Sequence, residues 1–166
     1  MKKNKGFTLM EILIVILLLG ILSGLVMNTF INTLKKGRDS RRKQDLGQIS
    51  RALEIYYSEH NVYPTHKAGS DTLPWELSLP HPTDITKFYM KIIPNDPQAD
   101  SGLTYYYESS GTYYRLFSCL ENSDDLSYNE YDYTGTDCGS CSGDRCHYGV
   151  SSPNCGDISN SNCTSD

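Results

Sequence analysis

No cysteine precedes Cys119, no proline precedes Pro64, and no charged residue lies between Ile12 and Leu34. The late cysteines exclude a disulfide scaffold for the first two thirds of the chain. The missing prolines leave residues 7–59 free to run as one helix, because an interior proline removes a backbone donor and clashes with the preceding turn. The uncharged stretch exceeds the roughly 20 residues that span a bilayer. Basic charge is scarce at the other end. Residues 119–166 hold nine acids (Glu121, Asp124, Asp125, Glu130, Asp132, Asp137, Asp144, Asp157 and Asp166) against Arg145 alone. That balance excludes a general nucleic-acid binder, which needs a basic face. No nucleophile motif, phosphate loop or paired-acid signature occurs, so the sequence makes no case for an enzyme.

The 166 residues suit one ordinary domain, with a formal net charge of -5. The N-terminus is short and basic, with Lys2, Lys3 and Lys5. A secretory signal has a shorter apolar region and a small-x-small cut behind it. Neither is found, so the run reads as an anchor that stays. Glu11 sits almost at its start. An acid in a membrane helix costs about 2.5–3.5 kcal/mol at the centre and less near an end, and it marks a function. Lys35, Lys36, Arg38, Arg41, Arg42 and Lys43 follow the span. Counted by the positive-inside rule, they put the C-terminal flank in the cytoplasm. The cysteines require the opposite, oxidising side.

Leu46, Ile49, Leu53 and Tyr56 recur at three- and four-residue steps and form one apolar stripe beyond the anchor. Gly20, Ser23 and Gly24 are small enough for close helix packing in the apolar half. The helix is predicted to end near His60, before Tyr63-Pro64-Thr65. A loop follows, with Trp75 and Leu77 as anchors on the helix. Residues 85–93 begin with a short helical turn, and Asn95-Asp96-Pro97 is a turn signal. Residues 103–108 and 112–118 read as two strands joined through Ser109-Ser110-Gly111, their tyrosines forming sheet faces. A short edge strand is placed near residues 131–133. His60, His66 and His81 lack partners in the sequence and read as surface or turn residues.

Lys5-Gly6-Phe7-Thr8-Leu9-Met10-Glu11-Ile12, followed by an unbroken apolar run, resembles the class III signal peptide of type IV pilins and type II secretion pseudopilins. Leu53-Glu54-Ile55-Tyr56-Tyr57, Tyr63-Pro64-Thr65, residues 89–97 and the tyrosine hairpin are similar to the major pseudopilin. The resemblance covers about residues 6–121. It implies a type IV pilin-like α+β fold, a long N-terminal helix on a small antiparallel sheet, here with a disulfide-rich C-terminal loop region. It implies cleavage between Gly6 and Phe7 by a prepilin peptidase that also N-methylates Phe7. Glu11, fifth in the mature chain, would meet the Phe7 amine of a neighbour and fix assembly register, since a wrongly docked subunit buries a lone acid. The implied partners are other copies, other pilins, the peptidase, an assembly ATPase and its inner-membrane platform. The head lies outside the cytoplasm, first membrane-anchored and then in a filament. The segments read as leader (1–6), filament-core half of the helix (7–34), amphipathic half plus head (35–118) and acidic cysteine-rich region (119–166). Two departures stand out: Asn28 where many relatives carry proline, and the six-cysteine tail. The tail favours a surface pilin over a pseudopilin, since an exposed filament gains from staples.

Cys119, Cys138, Cys141, Cys146, Cys155 and Cys163 make an even set in a tail behind an export-type N-terminus, which reads as disulfides in one of 15 connectivities. The competing reading is a membrane-anchored metal or redox module using Cys138, Cys141, Cys146 and His147. By the disulfide reading the chain requires no cofactor. Major pseudopilins bind calcium in a loop after the sheet, and the oxygen donors of this region are Asp124, Asp125, Asp132 and Asp137, at spacings unlike an EF-hand.

Overall fold

The expected helix forms from Leu9 to His60 (α1), with a bend of 44° between its segments Leu9–Gly24 and Thr29–His60. The computed structural model describes residues 6–65, 73–84, 86–131, 138–159 and 163. Two compact units divide the chain, Met1–Gly37 and Arg38–Asp166.

In the first unit the described large apolar side chains between Phe7 and Leu34 are exposed, Ile12, Leu19 and Phe30 among them. A helix apolar all round needs lipid or other helices as its surroundings. The hydroxyls of Ser23 and Thr33 donate to the carbonyls of Leu19 and Thr29, both at 2.8 Å, so neither presents a bare donor to an apolar medium. Among the described residues no single straight helix is long and apolar enough to cross a membrane. The segments Leu9–Gly24 and Thr29–His60 together are, by length and composition.

In the second unit the predicted stripe becomes the core. Leu46, Ile49, Ala52 and Leu53 are buried against Tyr105, Tyr107, Tyr114 and Leu116 of the sheet. Each fully buried leucine or isoleucine contributes about 1.5–3 kcal/mol. Tyr56 is only half-buried. The buried phenols keep polar partners. Tyr105 donates to Asp45 at 2.9 Å, Tyr107 to the Pro64 carbonyl at 2.6 Å, and Tyr114 meets Ser50 at 2.8 Å. Burial is cheap for tyrosine once its oxygen is satisfied, which is how a tyrosine-rich sheet can form a core.

Two small sheets complete the unit. Strands β1 (Leu79–Pro80) and β2 (Phe88–Met90) pair antiparallel. Strands β3 (Tyr106–Ser109), β4 (Tyr114–Ser118) and β5 (Tyr148–Ser151) form an antiparallel sheet in that order. Tyr106 lies opposite Phe117, and Ser118 opposite Tyr148. The predicted hairpin is therefore present, and β5 is an addition supplied by the cysteine-rich region.

Of three further expectations, one needs correction. At the segment expected to begin with a short helical turn, the Lys87 N–H closes one turn on the Asp84 carbonyl at 3.0 Å, Ile85 lying outside the described residues. Phe88-Tyr89-Met90 extends beside β1, helped by the His81 N–H donating to the Lys87 carbonyl at 3.0 Å. Leu77 is not an anchor but 63% exposed. Its N–H closes a turn on the Pro74 carbonyl, and Leu73 and Leu79 take the core positions on either side. Tyr131 bridges Cys146, and residues 132–133 of the expected edge strand lie outside the described residues.

Candidate functional site

Three constellations carry the chemistry of the chain, two of them singled out by the sequence. At the N-terminus, Gly6 and Phe7 precede the helix and are exposed, Phe7 by 80%. Thr8 caps α1. Its Oγ1 accepts the Glu11 backbone N–H at 3.2 Å, and its carbonyl accepts the first turn of N–H groups. Thr8-Leu9-Met10-Glu11 is thus the S/T-x-x-E spacing of a capping box. The Glu11 carboxylate lies in the first turn, where the positive end of the helix dipole favours an anion. Thr8 was legible from this spacing and went unread beside Glu11. The lysines of the leader lie outside the described residues.

The second constellation was not expected. Arg42, one of the basic residues that follow the span, is fully buried. Its Nε and Nη2 grip both oxygens of Asp96 at 2.8 and 3.0 Å. Its Nη1 reaches Asp39 and Glu121, each at 2.8 Å, and Nη2 also reaches Gln98 at 2.9 Å. Arg38 adds a two-point grip on Glu121 at 2.7 and 2.6 Å. Asp39 in turn accepts the backbone N–H groups of Glu121 and Asn122. Burial pushes the Arg42 guanidinium down, but the bonds to Asp96, Glu121 and Asp39 outweigh it and hold the group above its ordinary value. The bond from Arg38, followed by those from Arg42, holds the Glu121 carboxyl below its ordinary value against the effect of burial. The cluster ties α1 to residues 95–98 and to the segment leaving β4. Its signal was present in the spacing. Asp39, Arg42, Leu46, Ile49 and Leu53 fall at steps of three, four, three and four, so the buried face continues in charged residues.

The third constellation is the cysteine-rich region. All six cysteines are paired, Cys119–Cys141, Cys138–Cys146 and Cys155–Cys163. The metal or redox module is thereby corrected. The thiols of Cys138, Cys141 and Cys146 are spent in bridges, and the two cysteines of the C-x-x-C go to different partners. Between them, Gly139 has φ +72°, and a Cβ there would stand 1.9 Å from the Gly102 carbonyl oxygen. The Cys-Gly-Ser-Cys stretch is a tight turn against residues 102–104, where Ser140 donates to Gly102 and Thr104 to Cys138. His147 is buried beside the first bridge. Its Nδ1 lies 3.0 Å from the Leu120 carbonyl and 3.4 Å from the Cys141 sulfur, and its ring stacks on Tyr128.

Of the calcium donors, Asp124 is exposed, and Asp132 and Asp137 lie outside the described residues. Asp125 is occupied. It pairs with Lys43 at 2.5 Å and accepts the Ser127 N–H at 2.8 Å. His60 and His81 are not partnerless. His60 Nε2 meets the Tyr89 hydroxyl at 2.8 Å, that hydroxyl donates to Glu59 at 2.5 Å, and His81 Nε2 lies 3.6 Å from the same carboxylate. Burial, then the Glu59 carboxylate, pushes the Tyr89 phenol up to about 12. His81 Nδ1 accepts the Thr83 and Asp84 N–H groups, which puts its ring proton on Nε2. His66 lies outside the described residues.

Residues 1–27 match the prokaryotic N-terminal methylation motif, and residues 29–126 match the family profile of type II secretion system (T2SS), protein G. The chain belongs to the protein G family of type II secretion. It is 32% identical over 112 residues to the type II secretion system core protein G of Vibrio cholerae, covering 67% of this chain and 75% of that one. The core protein G of Pseudomonas aeruginosa is 32% identical over 113 residues, covering 67% and 78%. That of Escherichia coli is 32% identical over 97 residues, covering 57% and 67%. No solved structure matches. The family match takes in α1 from position 29, both small sheets as far as β4, and the buried Arg42 cluster. It stops before β5 and before five of the six cysteines.

Proposed function

We propose that this chain is a pseudopilin-type structural subunit of a secretion filament. The observation that carries the reading is the protein G match over residues 29–126, directly behind a methylation motif over residues 1–27. It reverses the order drawn from the cysteines, which put a surface pilus first. In this reading a prepilin peptidase cuts between Gly6 and Phe7 and methylates Phe7. The exposed apolar half of α1 then moves from lipid into a bundle of like helices. The chain performs no catalytic step; the peptidase, an assembly ATPase and its membrane platform do the covalent and mechanical work. The three disulfides support a head on the oxidising side of the membrane. Among the donors read for calcium, Asp125 already pairs with Lys43 through one carboxylate oxygen.

Intact mass spectrometry of the membrane-extracted chain tests this. The expected species begins at methylated Phe7 and gains six hydrogens on reduction. A chain retaining Met1 overturns the reading. Glu11→Ala separates processing from assembly: cleavage should persist while filaments and secretion are lost, because the register partner of the Phe7 amine is gone. Normal filaments from that variant would end the register role.

A further inference from the structure

Leu126 is the most exposed large apolar side chain of the head, at 104% of its reference area. It is not on a loose loop. Asp125 beside it is tied to Lys43 of α1 and to the Ser127 N–H, Tyr128 donates to the Asp125 carbonyl at 2.9 Å, and the Tyr128 ring stacks on buried His147. An anchored turn that presents leucine to water is a preorganised knob, because the cost of ordering it is already met within the fold. On the same unit, Ile55, Glu59, His81, Lys87, Phe88 and Tyr89 line an open groove of about 460 Å3. Ile55 and Phe88 are its half-exposed apolar walls. Glu59 is engaged by Tyr89, and Lys87 stands at the rim, 70% exposed, with only a 3.6 Å surface pair to Asp84.

We propose that the Leu126 turn of one copy docks in the Ile55–Phe88 groove of a second copy. Two observations choose this occupant. The exposed Asp124 carboxylate flanks the knob and the Lys87 ammonium flanks the groove, so the charges are complementary. The placement also suits an open polymer. The turn is anchored at position 43 of α1 and the groove begins at positions 55–59. At helical geometry that is about 18–24 Å along the axis and about 120–160° around it. Knob and groove therefore lie at different heights on different sides of one subunit. Such a heterologous contact propagates rather than closing as a two-fold dimer. This contact rests on the polymerising role proposed above.

The test uses the full-length chain in cells that assemble it. A benzophenone amino acid at position 126 should cross-link between copies, to peptides containing Ile55 or Phe88. Asp124→Lys and Lys87→Asp should each lower polymer yield about tenfold, and the double swap should restore it to within about twofold of wild type. Both positions are exposed, and retention of the three disulfides by mass confirms the fold of each variant. Cross-links that map elsewhere, single variants that polymerise as wild type, or a double variant no better than the singles each overturn the contact. A wild-type chain that stays monomeric after leader removal overturns the polymerising role as well, and is recognised before any variant is made.

Discussion

Arg42 shows how much a single buried charge can organise. Three carboxylates and one amide converge on it, and all three carboxylates also hold other groups, Asp39 the chain leaving β4, Glu121 the Arg38 guanidinium and Asp96 the Gln98 backbone N–H. Replacing the whole cluster by apolar residues could be nearly neutral, but deleting its centre strands three buried or half-buried acids. Arg42→Leu should cost about 3–5 kcal/mol, read as a lowered unfolding midpoint of the extracted protein in denaturant. Arg42→Lys should recover little of it, since an ammonium lacks the fork that grips Asp96 at two points. The acid response follows from the same cluster. The Glu121 carboxyl is held below its ordinary value of 4.5, so its contribution is complete above that pH and is lost as pH falls toward the lowered folded value. Asp125, lowered through Lys43, acts in the same direction from its ordinary 3.8. Asp45 has the opposite sign. Burial raises it against the Tyr105 bond, so its contribution is full at low pH and fades as pH rises through the raised value. Glu121→Gln should therefore weaken the fold at neutral pH yet flatten the loss that sets in as pH falls below 4.5, measured as unfolding midpoint against pH.

Among the elements, those with a local signal were legible. α1 was readable because prolines are missing and Leu46, Ile49 and Leu53 repeat at helical spacing. The β3–β4 hairpin was readable because aromatic and branched residues flank Ser110-Gly111. β5 was not. Tyr148-Gly149-Val150-Ser151 is short and contains glycine, and it becomes a strand only because β4 offers an unpaired edge. Gly149 fits there because a Cβ would stand 2.8 Å from the Phe117 ring. The disulfide pairing was likewise unreadable, since it depends on where Gly139 turns the chain. The same elements indicate which staple matters. Cys119–Cys141 closes the longest loop, 22 residues, and joins the exit of β4 to the approach to β5. Loop closure assigns it about 3 kcal/mol. Cys119→Ser with Cys141→Ser should lose about that much, and more than the paired change at Cys155 and Cys163, whose loop spans 8 residues. Denaturant midpoints of the two double variants check the order.

For the whole molecule, the boundary of the family match divides old from added. Residues 29–126 hold the helix, the core tyrosines and the charge cluster, while β5 and most cysteines lie beyond. A chain ending at position 126 would keep the family's part. It would also leave β4 as an open edge and Cys119 without Cys141. Exposed edges template pairing with other chains, so this truncation should be insoluble or rapidly degraded, as judged by its yield from membranes. Survival at wild-type level would show the tail to be an appendage and not part of the head's fold.

The bridges also bear on how the head is made. Cys119–Cys141 and Cys138–Cys146 interleave, since Cys138 lies inside the first loop and Cys146 outside it. On the exported topology proposed above, a head that emerges in chain order behind its membrane anchor, and is oxidised as its thiols appear, would join Cys119 to Cys138 and then Cys141 to Cys146. Those are the wrong partners. Native pairing demands thiol–disulfide exchange after the last of these cysteines has crossed. On that topology the head would be finished only after translocation, and its supply would need thiol–disulfide exchange besides an oxidant.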